Sequence, residues 1–203
     1  MNSNSILREE LQKVYNCIKN YLQIDVSDVP IVYMNSYDYY RCIKTNVTSA
    51  LQFHKKPEFL NELYMFYCEC VSGLYKRREK RVVIKEESKN DSALLLVELL
   101  HAKSIIQNYK ITEDWINEGL THYIAKILCE KCKILYKESG HQKYFTIWEK
   151  IYQKYGLDLL KNIIFAEDIK ITQKILKLLL NYKRNDVLEL SFEKAKALLY
   201  SVI

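Results

Sequence analysis

An α+β fold is predicted by three features of this chain: helical apolar spacing at its start and throughout its second half, two short β-rich runs around a charged turn, and a strongly apolar helix directly after them. The expected plan is a small N-terminal sheet, a buried helix beside it, and a helical C-terminal half. At 203 residues and 49% apolar content the chain can bury a substantial core. Four Gly and two Pro leave little material for linkers, and no repeat or low-complexity stretch interrupts the pattern. One domain over 1–203 is therefore expected, with a helix/strand part over 1–109 and a helical part over 110–203.

In chain order, Leu7, Leu11, Val14, Ile18 and Tyr21 recur at helical spacing and predict an amphipathic first helix. A short strand over Pro30–Met34 follows, then helices over Ser36–Thr48 and Glu58–Tyr67. Strands are expected over Cys70–Lys76 and Arg81–Lys85, joined by the charged turn between them. In the second half, Tyr144–Tyr155 is a helix stopped at Gly156, Leu157–Phe165 continues beyond it, Ile169–Tyr182 follows, and Ser191 caps a last helix.

The helix after the strands carries the chemistry. Ala93-Leu-Leu-Leu-Val-Glu98-Leu-Leu-His101-Ala102 is apolar on nearly every side, so it is expected to be buried, with Glu98 and His101 as its polar groups. At about 100° per residue these two side chains lie roughly 60° apart on one face. A buried carboxylate requires a partner, a proton or a metal. The bland alternative is a satisfied core pair. A second helix begins at Thr112, a good N-cap followed by an acidic first turn. Along it Ile116, Leu120, Tyr123 and Ile127 form one stripe, while Trp115, Glu118, His122, Ala125 and Cys129 fall roughly opposite. Glu118 could then meet Glu98 and His101 from the neighbouring helix, a carboxylate and imidazole donor set of the kind that binds metal.

Val97-Glu98-Leu-Leu-His101 followed by Trp115-Ile-Asn-Glu118-Gly-Leu-Thr-His-Tyr resembles the gluzincin metallopeptidases, especially their neutral aminopeptidase branch, which carry His-Glu-x-x-His and then Asn-Glu-Gly. The resemblance extends from Ser72 to Ala125 and implies a zincin-like fold, with His101 as the second histidine ligand, Glu98 as general base and Glu118 as third ligand. Val97 stands where the first histidine ligand belongs, and its isopropyl group cannot bind metal. The spacing from His101 to Glu118 is also shorter than that branch usually has. In such folds an edge strand lines the cleft and pairs with an extended peptide.

Two readings of the vacancy remain open. In the favoured one, zinc is lost, Glu98, His101, Glu118 and His122 satisfy one another, and the chain is a catalytically inactive pseudo-peptidase retained to bind a protein or peptide. In the other, His122, one turn after Glu118, replaces the lost ligand, so that His101, Glu118 and His122 hold zinc and Glu98 activates water.

A rival from another class is nucleic-acid binding. The net charge is +6, and Lys76, Arg77, Arg78, Lys80 and Arg81 cluster at the hairpin turn. The bland reading of that turn is solvated surface. A di-iron bundle would use Glu98-x-x-His101 and Glu138-x-x-His141, but Gly140 marks the second copy as a helix end; His54 and His141 otherwise read as loop or surface residues. The six cysteines form no recognisable disulfide framework and are expected to be mostly reduced core residues. Cys68-x-Cys70 with Cys129-x-x-Cys132 is a weak structural-zinc candidate. No apolar run reaches the roughly 18 residues of a spanning helix and no signal core opens the chain, so a cytoplasmic location without a membrane span is expected. The richness in Lys, Ile, Tyr and Asn fits an AT-biased genome such as that of a virus, a plasmid or a thermophile.

Overall fold

The structure, a computed structural model, describes residues 3–51, 71–105, 114–137, 141–166 and 170. Its elements are α1 (Ser3–Leu22), β1 (Ile31–Met34), α2 (Ser36–Leu51), β2 (Gly73–Lys76), β3 (Arg81–Lys85), α3 (Ser92–Lys103), α4 (Asp114–Cys132) and α5 (Phe145–Phe165). Short 3-10 turns occupy Glu86–Ser88 and Gln142–Tyr144. The fold is mixed α+β. The helix expected over Glu58–Tyr67, the one from Ser191, and all but Lys170 of the one over Ile169–Tyr182 lie outside the described residues, as do Thr112, His54, Glu138, Cys68 and Cys70.

The three strands form one sheet in the order β1-β3-β2. β2 and β3 are the expected hairpin, antiparallel with Gly73 opposite Ile84 and Lys76 opposite Arg81. β1 runs parallel to β3, with Ile31 opposite Val82 and Met34 opposite Lys85. That pairing was not visible in the strand patterns, because a parallel partner arrives through a long crossover rather than a local turn. β3 is central and covered on both faces. Val82, Val83 and Ile84 are all buried, which explains why its sequence does not alternate. On one face Val83 packs with Tyr39 and Ile43 of α2, and the buried Lys85 places its ammonium 5.4 Å and 5.3 Å from the Tyr39 and Tyr40 rings. On the other face α3 lies so near the start of β2 that a Cβ on Gly73 would come within 3.1 Å of Leu94 and 3.2 Å of Glu98.

Local signals fix the helix ends. Asn35 caps α2, accepting from the Asp38 amide at 3.0 Å and donating to the Asp38 carboxylate at 2.7 Å. Asp91 caps α3 by accepting from the Leu94 amide at 3.0 Å. α4 ends in a Schellman motif: the Ile134 amide donates to the Cys129 carbonyl, the Lys133 amide to the Glu130 carbonyl, and Lys133 takes a left-handed φ of 53°.

The chain divides into two compact units, Met1–Lys103 with Thr121–Gly140, and Ser104–Leu120 with His141–Ile203, so that α4 contributes to each. In the first unit, Val14, Ile18 and Leu22 of α1, the β3 residues, Leu95 to Leu100 of α3, and Ile124 and Leu128 of α4 are buried. In the second, Ile116, Leu120, Phe145, Trp148, Ile151, Leu160 and Ile163 are buried. Gly119 is required there by close approach, since a Cβ would lie 2.8 Å from Cβ of Tyr144. Gly156, with φ 74°, breaks α5 where the sequence places a helix stop.

The cysteines need correction. Cys17 of α1 and Cys132 at the end of α4 form a disulfide with a Cα–Cα distance of 6.1 Å. Cysteines 115 positions apart leave no spacing signature, which is why the pair was not legible. The bond also removes Cys132 as a ligand, so the four-cysteine zinc candidate falls. Cys42 and Cys129 are thiols. Among the described residues, no helix is long and apolar enough to cross a membrane.

Candidate metal centre

α3 is buried continuously from Leu95 to His101, as its near-uniform apolar sequence predicts. Glu98 is 7% exposed and His101 5% exposed, so each charge or lone pair on this helix must be satisfied from within the fold. Val97, at the position of the missing histidine, is buried among the apolar residues of the helix. On α4, Glu118 and His122 are half-buried on successive turns of one face. The same face continues through Ala125 and Cys129, both fully buried.

These elements bring His101, Glu118 and His122 together. One ligand atom from each lies within 4.8 Å of the others, and the two imidazole rings meet edge to face with centroids 6.5 Å apart. Ligands about 2.0–2.1 Å from a tetrahedral zinc stand roughly 3.4 Å from one another. Because the three atoms lie within 4.8 Å of one another, each pair would have to close by at most about 1.4 Å to reach that spacing. Two imidazoles and a carboxylate are a donor set suited to zinc, and three protein ligands leave a further coordination position. The residues fit a metal ion.

The surrounding polar groups orient two of the three. Asn117 donates its side-chain amide to Oε1 of Glu118 at 3.2 Å, and Nδ1 of His122 lies 3.2 Å from the hydroxyl of Tyr136. Tyr136 was missed from the sequence. It lies beyond the end of α4, and no spacing rule connects it to His122. Glu98 is not one of the clustered ligand atoms. It sits three residues before His101, with its side chain beneath the backbone of Gly73 at the start of β2. The start of β2 therefore lies beside Leu94 and Glu98 of the helix.

The basic turn is partly self-neutralised. Glu79 forms ion pairs with both Lys76 and Arg81, and its hydrogen bond from Lys76 holds its carboxyl below the ordinary range. Arg77, Arg78 and Lys80 are exposed in the turn. His141 is half-buried just before α5.

No protein-family model, curated protein or solved structure matches this chain. The metal-ligand geometry thus stands on its own residues.

Proposed function

We propose that the chain is a zinc-binding, gluzincin-like hydrolase of peptides in which His122 replaces the histidine lost at Val97. The observation that carries this reading is the convergence of His101, Glu118 and His122 within 4.8 Å. A core pair of Glu98 and His101 would not require two further donors to arrive from the next helix. His101, Glu118 and His122 would hold the ion. When bound, zinc acts as a Lewis acid that polarises a carbonyl and lowers the pKa of water.

The chain's own groups supply the rest. Glu98 is the carboxylate closest in sequence to the ligand His101 and shares its helix face, so it is the group to accept a proton from water and return it to the leaving amine. Its burial beside β2 keeps bulk water from screening that carboxylate. Asn117 holds Glu118 through the side-chain amide bond. Among the described residues β2 is an edge strand of the sheet, and its main chain would offer an extended peptide a line of hydrogen bonds beside Glu98.

A second reading, a peptide-binding pseudoenzyme, is favoured by Val97, which stands where the first histidine ligand of the resembled motif belongs. The two separate in one experiment. With zinc loaded, the hydrolase reading expects cleavage of a mixed peptide library that is abolished by Glu98→Gln while zinc content is kept. Cleavage that survives Glu98→Gln removes the mechanism, and zinc-loaded protein that retains peptides uncut supports the binding module.

A further inference from the structure

A bound metal needs its histidine ligands held in one tautomer, and the structure shows how His122 could be held. α4 does not simply end at Cys132. Lys133 adopts a left-handed conformation that reverses the chain, and Ile134 turns inward to 8% exposure while its neighbour Leu135 points out at 81%. From His122 to Cys132 is roughly 15 Å of helix at about 1.5 Å per residue. From Cys132 to Tyr136 an extended return covers about 13–14 Å at about 3.3–3.6 Å per residue. The returning backbone thus comes back nearly to the level of His122, the tyrosine side chain supplies the remaining reach, and Nδ1 of His122 lies 3.2 Å from the Tyr136 hydroxyl.

The segment is anchored along its length. The Cys17–Cys132 disulfide holds its start, and Lys13 donates to the Lys133 carbonyl at 3.3 Å. At its far end Lys137 donates to Asp91 at 2.6 Å, on the residue that caps α3, the helix of His101. A side chain on a segment tied at both ends loses little further freedom when it meets a ligand histidine.

We propose that Tyr136 is a positioning residue: its hydroxyl accepts from Nδ1–H of His122, fixing the tautomer whose Nε2 lone pair is the metal ligand. The proposal rests on the metal-site reading above. Outer partners of this kind set ring orientation and ligand basicity, and their loss typically lowers metal affinity by about 10- to 100-fold. A tyrosine on an anchored return segment would then be what makes a histidine in this unusual position usable as a ligand.

The test uses the full-length, disulfide-intact protein and two readouts. The first needs no metal: two-bond 1H–15N correlation spectra of the His122 ring, at a pH where the imidazole is neutral, should show Nδ1 protonated and Nε2 bare. Tyr136→Phe, which keeps the ring and removes only the hydroxyl, should shift the population toward the Nε2–H form. The second is zinc affinity by competition with a chromophoric chelator, which should weaken about 10- to 100-fold in Tyr136→Phe and show no further Tyr136 effect in a His122→Ala background. An Nε2–H tautomer in the native protein, or an unchanged zinc affinity in Tyr136→Phe with an unchanged melting curve, overturns the proposal. A native protein that binds no zinc yet shows the Nδ1–H tautomer lost in Tyr136→Phe sinks the metal reading and, with it, the positioning role toward metal, while leaving the hydrogen bond itself in place.

Discussion

Removing the Cys17–Cys132 cross-link should cost a large part of the stability of this fold. The bond closes a sequence separation of 115 residues and joins α1 to the end of α4. In the chain-entropy treatment, a loop of that length removes about 16 cal/mol/K from the unfolded ensemble, or about 5 kcal/mol at 25 °C. Total stabilities of single folds lie at about 5–15 kcal/mol, so the loss is a major fraction. The perturbation should be the double substitution Cys17→Ala with Cys132→Ala, because a single one leaves a thiol able to pair elsewhere. Cys17 is nearly fully buried, and alanine avoids adding an unsatisfied hydroxyl there. The assay is equilibrium urea unfolding at neutral pH, after a non-reducing digest has shown the Cys17 and Cys132 peptides linked. We expect the unfolding free energy to fall by about 3–5 kcal/mol, the lower figure allowing for residual structure in the unfolded chain. A loss below about 1 kcal/mol, with the link present in the native protein, would refute the reasoning.

Three further predictions follow from individual residues. Gly119→Ala should destabilise by about 1–3 kcal/mol in thermal unfolding, because the new Cβ meets Tyr144 Cβ at 2.8 Å; the opposite sign, the roughly 1 kcal/mol gain from helix propensity alone, would mean that the close approach is not real. Lys133→Gly should stabilise by about 1 kcal/mol in the same assay, since Lys133 holds φ 53° in the cap that ends α4. An unchanged or lower melting temperature counts against the left-handed cap. Burial, reinforced by Asp91 and Glu130, pushes the Cys129 thiol up from its ordinary 9.0 to about 12. The unfolded chain therefore releases this proton near pH 9 while the folded chain retains it, so stability is full below pH 9 and falls as pH rises toward 12. Urea unfolding at pH 8 to 10.5 should show a shallower alkaline loss in Cys129→Ala, and identical slopes would contradict the burial of the thiol.

The sequence made the local elements legible because they carry local signals. The apolar run around Glu98 reads as a buried helix and is one; the β-rich runs around the basic turn read as a hairpin and pair as one; and Gly156 marks a helix stop where φ is 74°. His101, Glu118 and His122 were identifiable as candidate ligands because polar groups on apolar helix faces require an explanation, and the fold brings them together. What stayed hidden depends on pairing at long range. The parallel partner β1, the Cys17–Cys132 bond and the contact of Tyr136 with His122 each join segments whose local patterns are ordinary. The basic turn illustrates the converse. Five cations close in sequence read as a charged patch, yet the intervening Glu79 pairs with Lys76 and Arg81, so the local field is weaker than a count of Lys and Arg suggests.

The central claim is that three side chains from α3 and α4 form a metal site, and metal content tests it most directly. Elemental mass spectrometry of protein purified without a histidine tag and dialysed after exposure to excess zinc should give close to one equivalent, with most of it lost in His101→Ala and in His122→Ala. Absence of retained zinc from the native protein, or zinc that both substitutions leave in place, would contradict the account.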